Sequence, residues 1–152
     1  MILGLLKAQS ASYTIEVSAV VVDNLQLINI RDIDLISPSV QGSLIIVNPN
    51  TSTYAGQFKI LGSPNRTIRI NYTIREILIE QKDGVGVVQA AYSMTTAMED
   101  IQSASLLLPQ GTAEVSIGPM GEVFIWLGAE FDISQATQGN YLSNFVLEFE
   151  YI

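Results

Sequence analysis

The chain of 152 residues contains no cysteine and no histidine. Without cysteine, no disulfide can staple the fold and no thiolate can serve as nucleophile or metal ligand. Without histidine there is no imidazole base, no Ser-His-Asp or Cys-His site and no imidazole zinc site. Charge is scarce as well: 14% of residues are charged, against about a quarter in an average soluble domain. Bases are the scarcer sign, with seven Lys and Arg against fifteen Asp and Glu, a net charge of −8. Neutralising phosphates requires clustered Lys and Arg, so nucleic acid is excluded as the expected partner.

The shortage of bases is also positional. Every basic residue lies at or before Lys82, where seven bases face six acids; from Asp83 to Ile152 there are nine acids and no base. Such asymmetry can steer head-to-tail association of identical subunits. An acidic surface that keeps an exported protein soluble explains it equally well.

Apolar residues are present in quantity, 48% of the chain, which excludes disorder. A chain of this length fits one domain able to bury roughly two-thirds of its unfolded surface. Low charge with abundant Ser, Thr, Asn and Gln suits a secreted β protein. Residues 1–11 stand apart: Ile2, Leu3, Leu5 and Leu6 form an apolar patch followed by small and polar residues. The segment is too short to span a bilayer. It reads as a signal-peptide remnant or as an N-terminal docking segment that needs a groove to lie in.

Residues 12–152 read as strands and turns. Tyr13, Ile15, Val17, Ala19 and Val21 alternate with Thr14, Glu16 and Ser18, the period of a half-buried strand. Further alternating or apolar stretches run through Leu25–Leu35, Gly42–Val47, Gln57–Ile60, Thr67–Thr73 and Ile77–Ile79. Val85–Met98 is less regular and holds one or two strands with a bulge. Ala113, Val115 and Ile117 share a face; so do Val123, Ile125, Leu127, Ala129 and Phe131, with Phe124 and Trp126 opposite. Phe145, Leu147, Phe149 and Tyr151 close the chain on one face of a last strand. Pro, Gly and Asn mark turns between them, and no stretch has capped helical periodicity. The spacing predicts an all-β, antiparallel, immunoglobulin-like sandwich of about nine or ten strands in a single domain.

The C-terminal third resembles a bacterial secreted family, the domain of unknown function 4402. Two stretches carry the likeness: Trp126–Ile133 (WLGAEFDI) and Gly139–Tyr151 (GNYLSNFVLEFEY). Leu25–Leu35 and Ala55–Gly62, with the following TIRINYTI, resemble earlier segments of that family. Ile36-Ser37 departs from it, standing where the family has Phe-Gly. The closing pattern is also similar to archaic chaperone–usher pilins and the spore coat protein U domain, although those relatives commonly carry cysteines. The resemblance implies a secreted, extracellular or cell-surface protein with no enzymatic activity and no cofactor. It further implies that a donated N-terminal strand completes an unfinished sandwich. Identical subunits are then the expected partners, assembled into a pilus-like filament or matrix.

On that reading the donor-strand candidates are Ile2, Leu3, Leu5, Leu6, Tyr13, Ile15, Val17, Ala19 and Val21. The acceptor-groove or core candidates are Trp126, Phe145, Leu147, Phe149 and Tyr151. A strand added to an exposed edge pairs its backbone there and buries alternate side chains. The competing reading has Tyr13–Val22 pairing within its own subunit. A monomeric surface module for glycan or protein is the alternative function, with Trp126, Phe124 and Tyr141 as a stacking platform. Asp32 and Asp34, on one strand face, are a weak calcium candidate; a solvated face is the simpler account.

Overall fold

The computed structural model describes residues 11–21 and 24–152. These form β1 (Ser12–Ile15), β2 (Ser18–Val21), β3 (Gln26–Arg31), β4 (Leu44–Val47), β5 (Gly56–Leu61), β6 (Thr67–Tyr72) and β7 (Arg75–Ile79). There follow β8 (Val87–Ala97), a 3-10 turn (Gln102–Ala104), β9 (Leu106–Leu107), β10 (Thr112–Ser116), β11 (Glu122–Asp132), β12 (Asn140–Ser143) and β13 (Val146–Tyr151). One sheet runs β10-β6-β13-β2. The larger runs β3-β5-β11-β8-β7, with β4 beside β11 and β9 beside β8. β1 pairs with β12, whose Asn140 carbonyl accepts the Gln81 N–H just beyond β7. The molecule is an immunoglobulin-like β-sandwich. Among the described residues, no helix is long and apolar enough to cross a membrane.

Period-two patterning explains which faces meet. Ile68 and Ile70 from β6, Ala113 and Val115 from β10, and Ile125 and Leu127 from β11 all point into one core between the sheets. Among the described residues the expected nine or ten strands appear as thirteen segments, because three strands break where they pass from one sheet to the other. The breaks fall at Glu16–Val17, Thr73–Ile74 and Asn144–Phe145, and counting each crossing strand once leaves ten. They lie on one line: the Thr73 N–H donates to the Val146 carbonyl (3.1 Å), and the Ser18 N–H donates to the Phe145 carbonyl (3.1 Å).

Alternation survives each crossing. Tyr141, Ser143, Phe145, Leu147 and Phe149 are all buried, so one side of the strand stays inward while its partner sheet changes. The same continuity runs from Ile68 to Glu80 and turns the apolar Ile77 and Ile79 outward, with Leu78 and Glu80 buried. The stretch expected to hold one or two strands with a bulge, Val85–Met98, is one uninterrupted strand, Val87–Ala97. The Tyr141 hydroxyl donates to the Thr137 carbonyl and accepts the Thr137 N–H, both at 2.8 Å, pinning the turn before β12 as tyrosine corners do in such sandwiches.

Candidate functional site

The N-terminal strand lies along the C-terminal one. β1 pairs with β12 in parallel, Tyr13 opposite Tyr141; β2 pairs with β13 in parallel, Ala19 opposite Leu147 and Val21 opposite Phe149. One sequence offset serves both pairs, so Ser12–Val21 runs in a single register beside Asn140–Phe149 and crosses between sheets where its neighbour does. Parallel pairing needs a connection that leads back over the molecule, and here the whole rest of the chain provides it.

Side chains on the inward parity hold this strand. The Tyr13 ring meets Phe131 edge-on at 5.6 Å and lies 5.4 Å from Tyr141, geometries in which aromatic pairs attract. Burial of the phenol and the neighbouring Tyr141 push the Tyr13 pKa up. Ile15 and Val17 are half-buried against the core, and Ala19 is exposed. Outside the core, the Ser12 hydroxyl donates to Asn140 Oδ1 (2.6 Å) and the Ser12 N–H to the Gly139 carbonyl (2.8 Å). Ile2, Leu3, Leu5 and Leu6 lie outside the described residues, as does the Val21 side chain.

Beneath the N-terminal strand, Phe145, Leu147 and Phe149 are buried, and Tyr151 is half-buried with its hydroxyl accepting the Ser63 N–H. Donor candidates from Tyr13 to Val21 therefore lie beside the strand of the acceptor candidates Phe145, Leu147 and Phe149 within one chain, whereas Trp126 lies elsewhere, on β11.

Two acids that patterning by hydrophobicity passes over secure the joint. Glu76 accepts from the Ser143 hydroxyl and from the Asn144 N–H (3.1 Å), and the Tyr92 hydroxyl lies 2.5 Å from it. Burial, then the Glu76 carboxylate, push the Tyr92 phenol far above its ordinary value. Glu80 accepts the N–H groups of Asp83 (2.8 Å), Lys82 (2.9 Å) and Asn140 (3.2 Å). Those bonds, the Asp83 contribution first, hold its carboxyl below the usual range. Gly139 sits against Glu80 with φ of 144°, and a Cβ there would collide with the carboxylate. The signal for both acids is in the sequence: continuing the parity of Ile70 and Tyr72 places Glu76 and Glu80 inward.

Trp126 lies on the face of β11 away from the main core, yet is only 1% exposed. Its register neighbours Gln57 and Thr95 are buried beside it. Two loops clamp the row: Gln57 Nε2 donates to Asp100 (2.6 Å), Asn50 Nδ2 to the Ser105 carbonyl (2.9 Å), and Gln102 Nε2 to the Ser52 carbonyl (2.8 Å). Trp126, Phe124 and Tyr141 are all buried, so they present no stacking platform. Asp34 accepts the Ile36 and Ser37 N–H groups, both at 2.9 Å, and its carboxyl is held low by Ser37 first; Asp32 accepts Asn29 Nδ2 (2.7 Å).

The charge asymmetry of the sequence is interleaved by the fold. β5 lies beside β11, and Lys59 meets Glu122 at 3.4 Å; β6 lies beside β13, and Arg69 meets Glu150 at 3.7 Å. A groove of about 590 Å³ on the outer face of the larger sheet collects Arg75, Gln89, Glu130 and Asp132 around Ala91, with Ile77 as its apolar wall.

No family model and no curated protein matches the chain, so the likeness to the domain of unknown function 4402 rests on the quoted motifs alone. Among solved structures, the chain is similar to one chain of a chaperone–tip adhesin complex of CFA/I fimbriae biogenesis, at 14% identity and a TM-score of 0.51. The match covers 85% of this chain but 42% of the other, so this chain spans less than half of that protein's length. The likeness is one of fold: this sandwich is shared with a component of a fimbrial chaperone–adhesin complex.

Proposed function

We propose that the protein is a non-enzymatic structural subunit of an extracellular, pilus-like filament or surface matrix, joined to identical copies by an N-terminal strand. The observation that carries this reading is the attachment of the N-terminus. Among the described residues, a parallel strand paired on one side only covers an open side of the sandwich. Strand addition to a sheet edge is a general mode of protein association, and exchange of an identical element between copies keeps the same contacts. The shared fold with a fimbrial complex component is consistent with it. The polar cluster of Glu76, Ser143 and Tyr92 accounts for itself as a joint, since Ser143 is 2% exposed and closed to substrate.

Purified protein should show concentration-dependent oligomers in size-exclusion chromatography and filaments by negative-stain microscopy. A single monomer peak from micromolar to millimolar concentration would remove the proposal. A monomeric binding module is the second reading, favoured by the groove around Ala91. Its donors and acceptors suit a hydroxyl-rich ligand, and binding on a glycan array that is lost in Glu130→Gln would support it.

A further inference from the structure

On the outer face of the larger sheet, neighbouring strands set charges of opposite sign around a shallow floor. Arg75 of β7, Ala91 of β8 and Glu130 of β11 stand side by side in register, and Ile77, Gln89 and Asp132 form the next row. All six line the groove of about 590 Å³. Arg75 and Glu130 are exposed, Asp132 is half-buried, and the short Ala91 between them leaves the depression. Elsewhere on the two sheets, opposite charges occupy adjacent strands and pair, Lys59 with Glu122 and Arg69 with Glu150. Here a whole strand separates base from acid. Strand spacing and rise put the backbone of Arg75 about 10 Å from that of Glu130, and about 12 Å from that of Asp132 on the diagonal. Among the described residues, none of the three joins an ion pair. The Ser134 N–H donates to Asp132 (3.0 Å), which lowers the Asp132 pKa and keeps its charge in place.

These charges narrow the ligand. A purely anionic one would meet two carboxylates, and a purely cationic one would meet the guanidinium. A neutral sugar would leave both signs unmatched, and among the described residues lining the groove there is no aromatic ring for it to stack on. We infer that the groove binds the C-terminal lysine of a peptide, its carboxylate at Arg75 and its ammonium at Asp132 and Glu130. The inference rests on the reading of this groove as a binding site and names charge as what it selects. In a terminal lysine the carboxylate and the ammonium stand six bonds apart, about 7–8 Å when extended. A charge-assisted hydrogen bond of about 2.8 Å at each end brings that span to the diagonal from Arg75 to Asp132. The methylenes then cross Ala91 with Ile77 at their flank, where an aliphatic stem finds apolar contact. Free lysine fits less well, because its α-ammonium would sit against Arg75. In a peptide that nitrogen is an amide, and Gln89 on the floor offers it a hydrogen-bonding partner. The net charge of −8 favours approach by the cationic end.

The test uses the full chain and a fluorescein-labelled short peptide ending in lysine, read by fluorescence anisotropy. Amidating the terminal carboxylate, or acetylating the terminal lysine side chain, should each weaken binding about tenfold or more, the loss expected when one charge-assisted contact goes. Arg75→Gln should erase the preference for acid over amide, and Asp132→Asn with Glu130→Gln the preference for amine over acetyl. Thermal melting checks that each variant folds. If acetylation abolishes binding while amidation leaves it unchanged, the groove takes any basic segment and the inference falls. It falls equally if the variants bind the peptide as the parent does, since the peptide then sits elsewhere. If the peptide fails to bind but a glycan binds and is lost in Glu130→Gln, selection by charge is wrong and the groove remains a binding site. Binding of neither peptide nor glycan overturns both.

Discussion

At the scale of single residues, the acids at the terminal joint govern behaviour in acid. Glu80 is nearly buried and accepts three backbone N–H groups, and its folded pKa lies below the ordinary carboxylate value. Above the unfolded value, about 4.3 for Glu, the folded chain keeps the charge that those N–H groups stabilise. As pH falls through the folded value, the carboxylate takes up a proton and that contribution disappears, because the unfolded state binds protons first. Asp34 and Asp132, held low by Ser37 and Ser134, add in the same direction. The melting temperature of the parent should therefore drop between about pH 5 and pH 3. Glu80→Gln should melt below the parent at pH 7 and converge on it in acid, measured by circular dichroism. Parallel curves for the two proteins would show that Glu80 does not carry the effect. Nothing in the hydrophobic pattern marks this residue; only the parity of its strand does.

At the scale of elements, two features separate local pattern from packing. Trp126 alternates with core residues on β11 and so points out of the sandwich, yet the loops around Asn50 and Gln102 close over it. Replacing a buried aromatic by Ala costs about 3–5 kcal/mol. Trp126→Ala should shift the urea midpoint accordingly, and a loss under about 1 kcal/mol would place the ring outside a packed site. The second feature is the N-terminal strand. Half-buried Ser12 and exposed Asn140 are parallel neighbours whose side chains touch, and the chain has no cysteine to interfere. Neighbouring strands bring Cα atoms within disulfide range. Ser12→Cys with Asn140→Cys should close oxidatively within a monomer and raise the melting temperature until reductant is added. Closing so long a loop contributes up to about 4–5 kcal/mol. Non-reducing gels that show only cross-linked multimers would mean that the strand sits on a neighbouring copy.

At the scale of the whole molecule, the first strand pairs with the last, and that pairing orders events. β1 and β2 have no ladder to join until β12 and β13 are in place. A sandwich dominated by such distant pairings folds in about milliseconds to seconds. Val17→Ala, half-buried on the N-terminal strand, should therefore speed unfolding and leave the refolding rate nearly unchanged, as expected of contacts made after the transition state. Stopped-flow chevrons would decide this; an equal slowing of refolding would put the terminal pair in the nucleus.

Alternation along the chain is enough to settle that the fold is all-β and which side of most strands faces inward. It does so because a strand's side chains alternate with a period of two, and two residues are enough to express it. Ala113, Val115, Ile125, Leu127, Leu147 and Phe149 were legible in this way. The missing cysteine and histidine likewise speak for themselves. Only the packed chain settles that the first strand lies parallel to the last, that three strands change sheets on one line, and which backbone amides and hydroxyls reach Glu76 and Glu80 to satisfy them. The first and last strands stand more than a hundred residues apart, and an outward or polar side chain becomes buried only when a distant loop or backbone amide arrives to cover it. Those are properties of where the chain returns to, which local alternation does not encode.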